Sequence, residues 1–159
     1  MYRLSGHITI AAVGKLRRSH WQVAQDDYLQ RLQRYTTVEL VEVKDVAGRS
    51  IPDAVAMQRE GEQLLKAAES AGRKIALTPD GKLTSSPKLA RYLRRQIEVY
   101  GRIAFLIGGP TGFAGEVIDR CDEQLSLSPL TFPHELARVI LLEQLYRACT
   151  ILSGEPYHK

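Results

Sequence analysis

Apolar residues fall into two alternating patterns along the chain: short runs bounded by glycine or proline, and longer stretches with apolar positions three and four apart. The runs His7 to Val13 (HITIAAV), Lys74 to Leu77, Ile103 to Ile107 (IAFLI) and Leu125 to Ser128 predict strands. Gly14 closes the first, and Gly108-Gly109-Pro110 closes the third. Val38 to Val46 (VELVEVKDV) alternates apolar with charged residues, which predicts a strand with one wet face at a sheet edge. Between these runs, Trp21, Ala24, Tyr28, Leu32 and Tyr35 recur at helical spacing, behind a Ser19 able to cap. We read those aromatics as a core stripe rather than a platform for stacking bases.

Pro52-Asp53 opens a second helix through Ser70, in which Gly61 weakens the middle by about 1 kcal/mol relative to alanine. Thr78-Pro79-Asp80-Gly81-Lys82 predicts a turn at the end of the Lys74 to Leu77 strand. Ser86-Pro87 starts a third helix with Leu89, Ala90, Leu93, Ile97 and Tyr100 as its apolar stripe, stopped by Gly101. Gly115 to Glu123 reads as a short fourth. Strands alternating with helices predict an α/β fold, a mostly parallel sheet with helices on both faces. Without a linker, repeat or low-complexity tract, residues 1–159 read as a single domain.

The last helix, Pro133 to Leu152, is apolar around most of its circumference, so it must be buried on more than one side. Another subunit is a plausible second surface in so small a domain. Glu143 and Arg147, four apart in the favourable order, suit an ion pair.

Composition changes this picture little. The 159 residues are 44% hydrophobic and 25% charged, as in ordinary globular proteins. No apolar run approaches a membrane span, and the first residues lack a signal peptide's apolar core, so a cytoplasmic location is expected. Cys121 and Cys149 fall in helical patterns and read as buried free thiols. The net charge of +4 fits a polyanionic partner without requiring one.

Ligands of open α/β sheets bind beyond the carboxyl ends of the strands. Three loops could meet there: Leu77 to Lys82, Ile107 to Gly112, and Leu127 to Phe132. Glycines at 108, 109 and 112 let a ligand approach backbone N–H and C=O groups. GGPTG is neither a dinucleotide fingerprint nor a phosphate-binding P-loop, and a generic tight turn explains it equally well. His7, His20, His134 and His158 lack close pairing, so no metal site is expected. Ser126 and Ser128 lack the elbow of a serine hydrolase, and His134 reads as a structural hydrogen-bonder. Arg91, Arg94 and Arg95, with Lys88, lie largely off the apolar stripe, either as a solvated face or as contacts to an RNA backbone. The terminal Glu155-Pro156-Tyr157-His158-Lys159 has no apolar reason to dock, and the simplest reading is a disordered tail.

The segments IGGPTGF, LSLSPLTFPHELARVILLEQLYRA and PYHK closely resemble the bacterial ribosomal large-subunit pseudouridine N3-methyltransferases, small members of the knotted SPOUT class. The resemblance runs from ITIAAVGKL at Ile8 to the terminal YHK; Met1 to Gly6 extend beyond the usual family start. Thr78-Pro79 departs from the family, where an acidic residue commonly follows the strand leucine. The resemblance implies a C-terminal trefoil knot, which sequence physics alone would not predict, and a homodimer. It implies S-adenosylmethionine held by Leu77, Gly108, Gly109, Leu127, Ser128, Pro129, Leu130, Thr131 and Phe132. The implied substrate is a pseudouridine in the decoding-proximal stem-loop of 23S rRNA, methylated at N3 on assembled ribosomes.

N3 carries a proton that must leave before attack, so a base or an anion-stabilising cation is needed. On this reading His158 accepts the proton, Tyr157 positions the base and Arg138 stabilises the anionic ring oxygens. Arg17, Arg18, Arg91, Arg94 and Arg95 are the candidate contacts to rRNA phosphates. The alternatives are a knotted tRNA methyltransferase, a non-catalytic ribosome-binding factor, and a generic nucleotide-binding protein.

Overall fold

The computed structural model describes residues 2–48 and 50–159; Met1, at the head of the N-terminal extension, and Arg49, in the 47–51 loop, lie outside the described residues. The strands are β1 (His7–Val13), β2 (Thr37–Val43), β3 (Arg73–Leu83), β4 (Arg102–Ile107) and β5 (Glu123–Ser126). The helices are α1 (Ser19–Leu32), α2 (Asp53–Ala67), α3 (Ser86–Tyr100), α4 (Gly115–Asp119) and α5 (His134–Leu152). The strands form a five-stranded sheet in the order β2-β1-β4-β3-β5. Every pairing is parallel.

Side-chain alternation explains the two helical layers. Ile8, Ile10 and Ala12 of β1 point with Ile103, Phe105 and Ile107 of β4 into the core shared with α1, α3 and α5. Ala11, Val13, Ala104 and Leu106 point the other way, toward Leu64 and Leu65 of α2 and Val117 of α4. Strands buried on both faces carry nearly continuous apolar runs, as β1 and β4 do. β2 keeps Thr37 and Glu39 outward beside buried Val38 and takes the edge, as its alternation predicted.

Several local expectations are corrected. Thr78 to Lys82 does not end β3: the strand continues to Leu83, with a register shift against β5 between Leu77 and Lys82. Gly81 permits this excursion, because a Cβ there would sit 2.6 Å from the backbone carbon of Leu125. Ser19 is not a cap; Arg18 holds that position with no side-chain cap bond. α3 starts at Ser86-Pro87 as expected, and it is capped by Ser85, whose hydroxyl accepts from the Lys88 N–H. α4 ends at Asp119, so Cys121 lies in the turn beyond it, partly buried, while Cys149 is buried in α5. Gly61 is a packing requirement rather than a weakness, since a Cβ on it would meet Val117 Cγ2 at 2.2 Å.

α5 lies over the sheet against both α1 and α3. Leu141, Leu142, Leu145, Ala148 and Cys149 are buried. No residue from His134 to Ser153 is fully exposed, so its own chain covers much of the all-round apolar surface. The helix stops at Gly154 (φ +69°), with Glu155 N–H bonding Thr150 C=O and Gly154 N–H bonding Ile151 C=O. That is a Schellman stop, which glycine favours because it adopts positive φ without strain.

Candidate functional site

The irregular stretch of β3 from Leu77 to Asp80 and the C-terminal ends of β4 and β5 border a pocket of about 340 Å³. All three sequence-predicted loops line it, including Leu77, Gly108, Gly109, Leu127, Ser128, Leu130, Thr131 and Phe132. Pro129 shares their loop but does not line the cavity. Sequence reasoning missed Phe113, Ile118, Gln124, His134 and Ala137, which the fold brings in from the loop before α4, from α4 itself, β5 and α5. Asp80 also reaches the cavity from the β3 excursion, so an acidic side chain stands there after all, beyond the Thr78-Pro79 pair.

The central loop is a tight turn. Gly112 N–H donates to Gly109 C=O at 3.0 Å, and Gly112 takes φ +79°. A Cβ on Gly108 would come within 3.2 Å of the Gly112 carbonyl carbon. The turn therefore packs onto itself and leaves its backbone as pocket wall. In the neighbouring loop, Ser128 Oγ accepts from Leu130 N–H at 3.0 Å, and Ser126 Oγ donates to Ser128 C=O at 2.9 Å. Leu130 is 72% exposed at the mouth. Apolar walls with a few polar backbone and carboxylate groups suit a small ligand with both apolar and polar parts.

The terminal pentapeptide is docked rather than disordered. Tyr35 OH donates to Glu155 Oε2 at 2.6 Å, and the Tyr146 and Tyr157 rings meet edge-on at 4.8 Å. Glu143 Oε1 accepts from Tyr157 OH at 3.0 Å and from Arg147 at 2.6 Å. Arg147 also lies over the Tyr157 ring, and its Nη1 is 3.3 Å from His158 Nδ1. Burial, then the Glu143 carboxylate, push the Tyr157 phenol above its ordinary range. Arg147 is joined to both tail residues as well as to Glu143; the sequence signals only the ion pair, through the four-residue spacing. The ion pair forms within one chain.

Tyr157 and His158 do not line their own chain's pocket. His134 sits at the pocket and Arg147 holds the tail, and at 1.5 Å per residue these positions are about 20 Å apart along α5.

Arg138 is elsewhere again. It is 1% exposed and both terminal nitrogens are committed, Nη1 to Glu42 at 2.6 Å and Gln25 at 3.3 Å, Nη2 to the carbonyls of Val13 and Gly14, while Nε is buried without a partner. The expected role in holding anionic ring oxygens does not fit that placement. Its work in this chain is to clamp α5 to the ends of β1 and β2.

Arg17, Arg18, Arg91, Arg94 and Arg95 are all exposed. Arg17 lies 3.8 Å from Asp45, and Arg94 lies 3.9 Å from Glu98. Arg17 and Arg18 lead into α1 while the other three ride on α3, so the two groups flank α5 from opposite sides. Among the described residues no His/Cys/Asp/Glu cluster could hold a metal ion, and no helix is long and apolar enough to cross a membrane.

A parallel sheet with glycine- and proline-bearing loops converging on one pocket defines an α/β protein of the class whose ligands lie beyond the carboxyl ends of the strands. Residues 7–158 match the family model described as predicted SPOUT methyltransferase, and the chain belongs to that family. It is 41% identical to the ribosomal RNA large subunit methyltransferase H of Alkaliphilus oremlandii, over 96% of this chain and 99% of the relative. It is 44% identical to the protein of the same name from Rubrobacter xylanophilus, over 94% and 96%. Two solved structures share the fold. A probable methyltransferase from Bordetella pertussis aligns with TM-score 0.59 and 16% identity over 92% of this chain and 98% of that one. A probable methylase family protein from Haemophilus influenzae aligns with TM-score 0.57 and 14% identity over 100% of this chain and 72% of that one.

Proposed function

We propose that this methyltransferase moves a methyl group from S-adenosylmethionine to N3 of a pseudouridine in 23S rRNA, on assembled ribosomes in the cytoplasm. The observation that carries the reading is the convergence of the three loops on one pocket, in a chain whose relatives over nearly full length are named ribosomal RNA large subunit methyltransferases.

The pocket fits the donor by its chemistry. Leu77, Ile107, Leu130 and Phe132 offer apolar surface to a nucleoside and a thioether-like chain. The bare backbone at Gly108 and Gly109, with the 127–132 loop, offers N–H and C=O groups to a purine edge. Asp80 and Gln124 supply polar side chains at the wall. When bound, the donor supplies an electrophilic methyl on a positively charged sulfur. The chain's contribution is then alignment, which can lower a barrier by up to roughly 7–11 kcal/mol, and management of the N3 proton.

The tail is the proposed proton-handling element. His158 accepts the N3 proton at Nδ1, the nitrogen that faces Arg147 in the free chain and must leave that contact first, and Tyr157, bonded to Glu143, positions the base. Since the tail is docked about 20 Å of helix rise from its own pocket, the working unit is a homodimer in which each tail completes its partner's pocket. The trefoil knot belongs to the same proposal, with α5 as the threaded segment. The exposed arginines 17, 18, 91, 94 and 95 hold rRNA phosphates.

The test is methyl transfer from labelled S-adenosylmethionine to intact ribosomes, free 23S rRNA and free tRNA, with the product nucleoside identified by mass spectrometry. N3-methylpseudouridine formed on ribosomes is the expected product. Label in tRNA alone would transfer the activity to the other substrate class, and no label in any acceptor would end the enzymatic reading.

A further inference from the structure

No step of the proposed reaction uses the smaller cavity beside the donor pocket. It measures about 140 Å³ and lies at the end of β1, between the loop after β2 and the start of α5. Pro110 and His134 belong to the walls of both cavities, so the two spaces are neighbours across these side chains. A water claims about 30 Å³ in the liquid, which gives the small cavity room for one flat ring and not for a whole nucleoside. Exposed Lys15 and Arg17 form part of its lining.

Of the side chains around it, those able to accept a hydrogen bond are Asp45, His134 and Glu135. Asp45 is engaged: its Oδ1 accepts from Ala47 N–H at 3.1 Å, and its Oδ2 lies 3.8 Å from Arg17. The backbone carbonyls of Val13 and Gly14 already accept from buried Arg138. Glu135 is only half engaged. Its Oε2 accepts from Arg17 N–H at 3.3 Å, while among the described residues its Oε1 has no hydrogen-bond partner. Glu135 directly follows His134, so a carboxylate with a free oxygen borders the small cavity beside the residue that both cavities share.

The acceptor of the proposed reaction fits this space by its chemistry. Pseudouridine is joined to its ribose through carbon, so N1 keeps a proton, and the ring presents N1–H and N3–H on either side of one carbonyl. Uridine places N3 identically but offers a C5–H where pseudouridine has N1–H. Shape alone cannot tell the two apart; an acceptor at that edge can. We propose that the small cavity seats the flipped-out base with N3 toward the donor pocket, and that Glu135 Oε1 accepts N1–H, so that Glu135 selects pseudouridine over uridine. Lys15 and Arg17 bring cations to the ring carbonyls as N3 loses its proton, a role that buried Arg138 cannot fill. This inference rests on the pseudouridine reading of the acceptor.

Single-turnover transfer from labelled S-adenosylmethionine, with enzyme in excess, compares the wild type with Glu135→Ala and Glu135→Gln. The acceptors are ribosomes carrying pseudouridine at the target position and ribosomes in which it was left as uridine. A hydrogen bond to a charged group is worth roughly tenfold to hundredfold, so Glu135→Ala should lose that much on pseudouridine and change little on uridine. Glu135→Gln keeps an acceptor oxygen without the charge and should fall between. Glu135 does not line the donor pocket, so S-adenosylhomocysteine affinity by calorimetry should agree within about twofold among the three proteins. If uridine ribosomes are inert with every protein, the loss on pseudouridine at unchanged donor affinity and ribosome binding decides. An equal loss on both acceptors, or a loss under about threefold on pseudouridine, overturns the role of Glu135 alone. No transfer by the wild type to pseudouridine ribosomes overturns the acceptor reading as well.

Discussion

Tyr157 and Arg147 donate to the same oxygen, Glu143 Oε1, at 3.0 and 2.6 Å. One carboxylate on α5 thus fixes a tail residue and the guanidinium that contacts His158. The tail is ordered by polar and aromatic contacts to Tyr35 and α5, not by apolar burial, and Lys159 at its end is exposed.

Deleting Tyr157 to Lys159 should abolish methyl transfer to ribosomes while leaving S-adenosylhomocysteine affinity within about twofold, since those residues line no wall of their own chain's pocket and, in the partner's, are assigned to the substrate base rather than the donor. Single-turnover transfer and calorimetry on the same preparation check this. Unchanged turnover in the truncated protein would sink the tail's role. A subunit-mixing experiment, pairing a tail-deleted chain with one disabled at the pocket, should restore activity if tails act across the dimer.

Arg138 makes a different kind of prediction. Arg138→Met leaves Glu42 without its cation and Gln25 and two backbone carbonyls without a donor. Breaking such a buried pair from one side costs about 3–5 kcal/mol. Replacing Glu42 as well, with glutamine, should recover part of that loss. Denaturant unfolding of the two variants measures it; a loss under about 1 kcal/mol would mean that the clamp does not hold α5.

These residues also mark what could be read from the sequence. The strands, the helix alternation and the edge position of β2 follow from local periodicity, and the three pocket loops follow from glycine and proline at strand ends. The excursion in β3 did not follow, because Pro79-Asp80-Gly81 has the chemistry of a turn and only pairing with β5, some forty residues on, keeps it in the sheet. Arg138 sits in an otherwise apolar stretch and looked available for chemistry; its partners come from α1, β1 and β2, far away in sequence. The tail's docking depends likewise on Tyr35, Glu143 and Tyr146, none of which reads locally as a tail receptor.

Gly61→Ala reverses an ordinary expectation. Alanine in mid-helix normally gains about 1 kcal/mol over glycine. Here the added methyl would lie 2.2 Å from Val117 Cγ2, so overpacking should destabilise by about 1–3 kcal/mol. Gly61→Ala combined with Val117→Ala should relieve much of it. Thermal unfolding of both variants decides between these signs.

The tail dock should loosen in alkali. Burial, then Glu155, raises the Tyr35 phenol above its ordinary range, and burial with Glu143 does so for Tyr157. Groups whose folded pKa is raised stabilise the fold fully below the unfolded value, near 10, and that contribution is lost as pH rises through the folded value. Protection of the 154–159 segment from carboxypeptidase should therefore hold through neutral pH and fall above about pH 10. Burial also pushes the Cys149 thiol up to about 12, so it should resist alkylation at neutral pH while the chain is folded.

Charge reversal of Arg94 and Arg95 tests the RNA-facing surface. Both are exposed on α3, and Arg94's carboxylate neighbour, Glu98, lies 3.9 Å away on the same helix. Surface pairs of that kind contribute about 0–1 kcal/mol, so the double change should leave thermal stability almost unaltered. If each arginine neutralises one phosphate, removing both reduces the slope of log affinity against log salt by roughly 1.4 to 1.8, the range between single-stranded and duplex values. Ribosome binding measured at several salt concentrations gives that slope. An unchanged slope with unchanged affinity would move the rRNA contact off α3, leaving Arg17 and Arg18, exposed ahead of α1, as the basic group to reverse next.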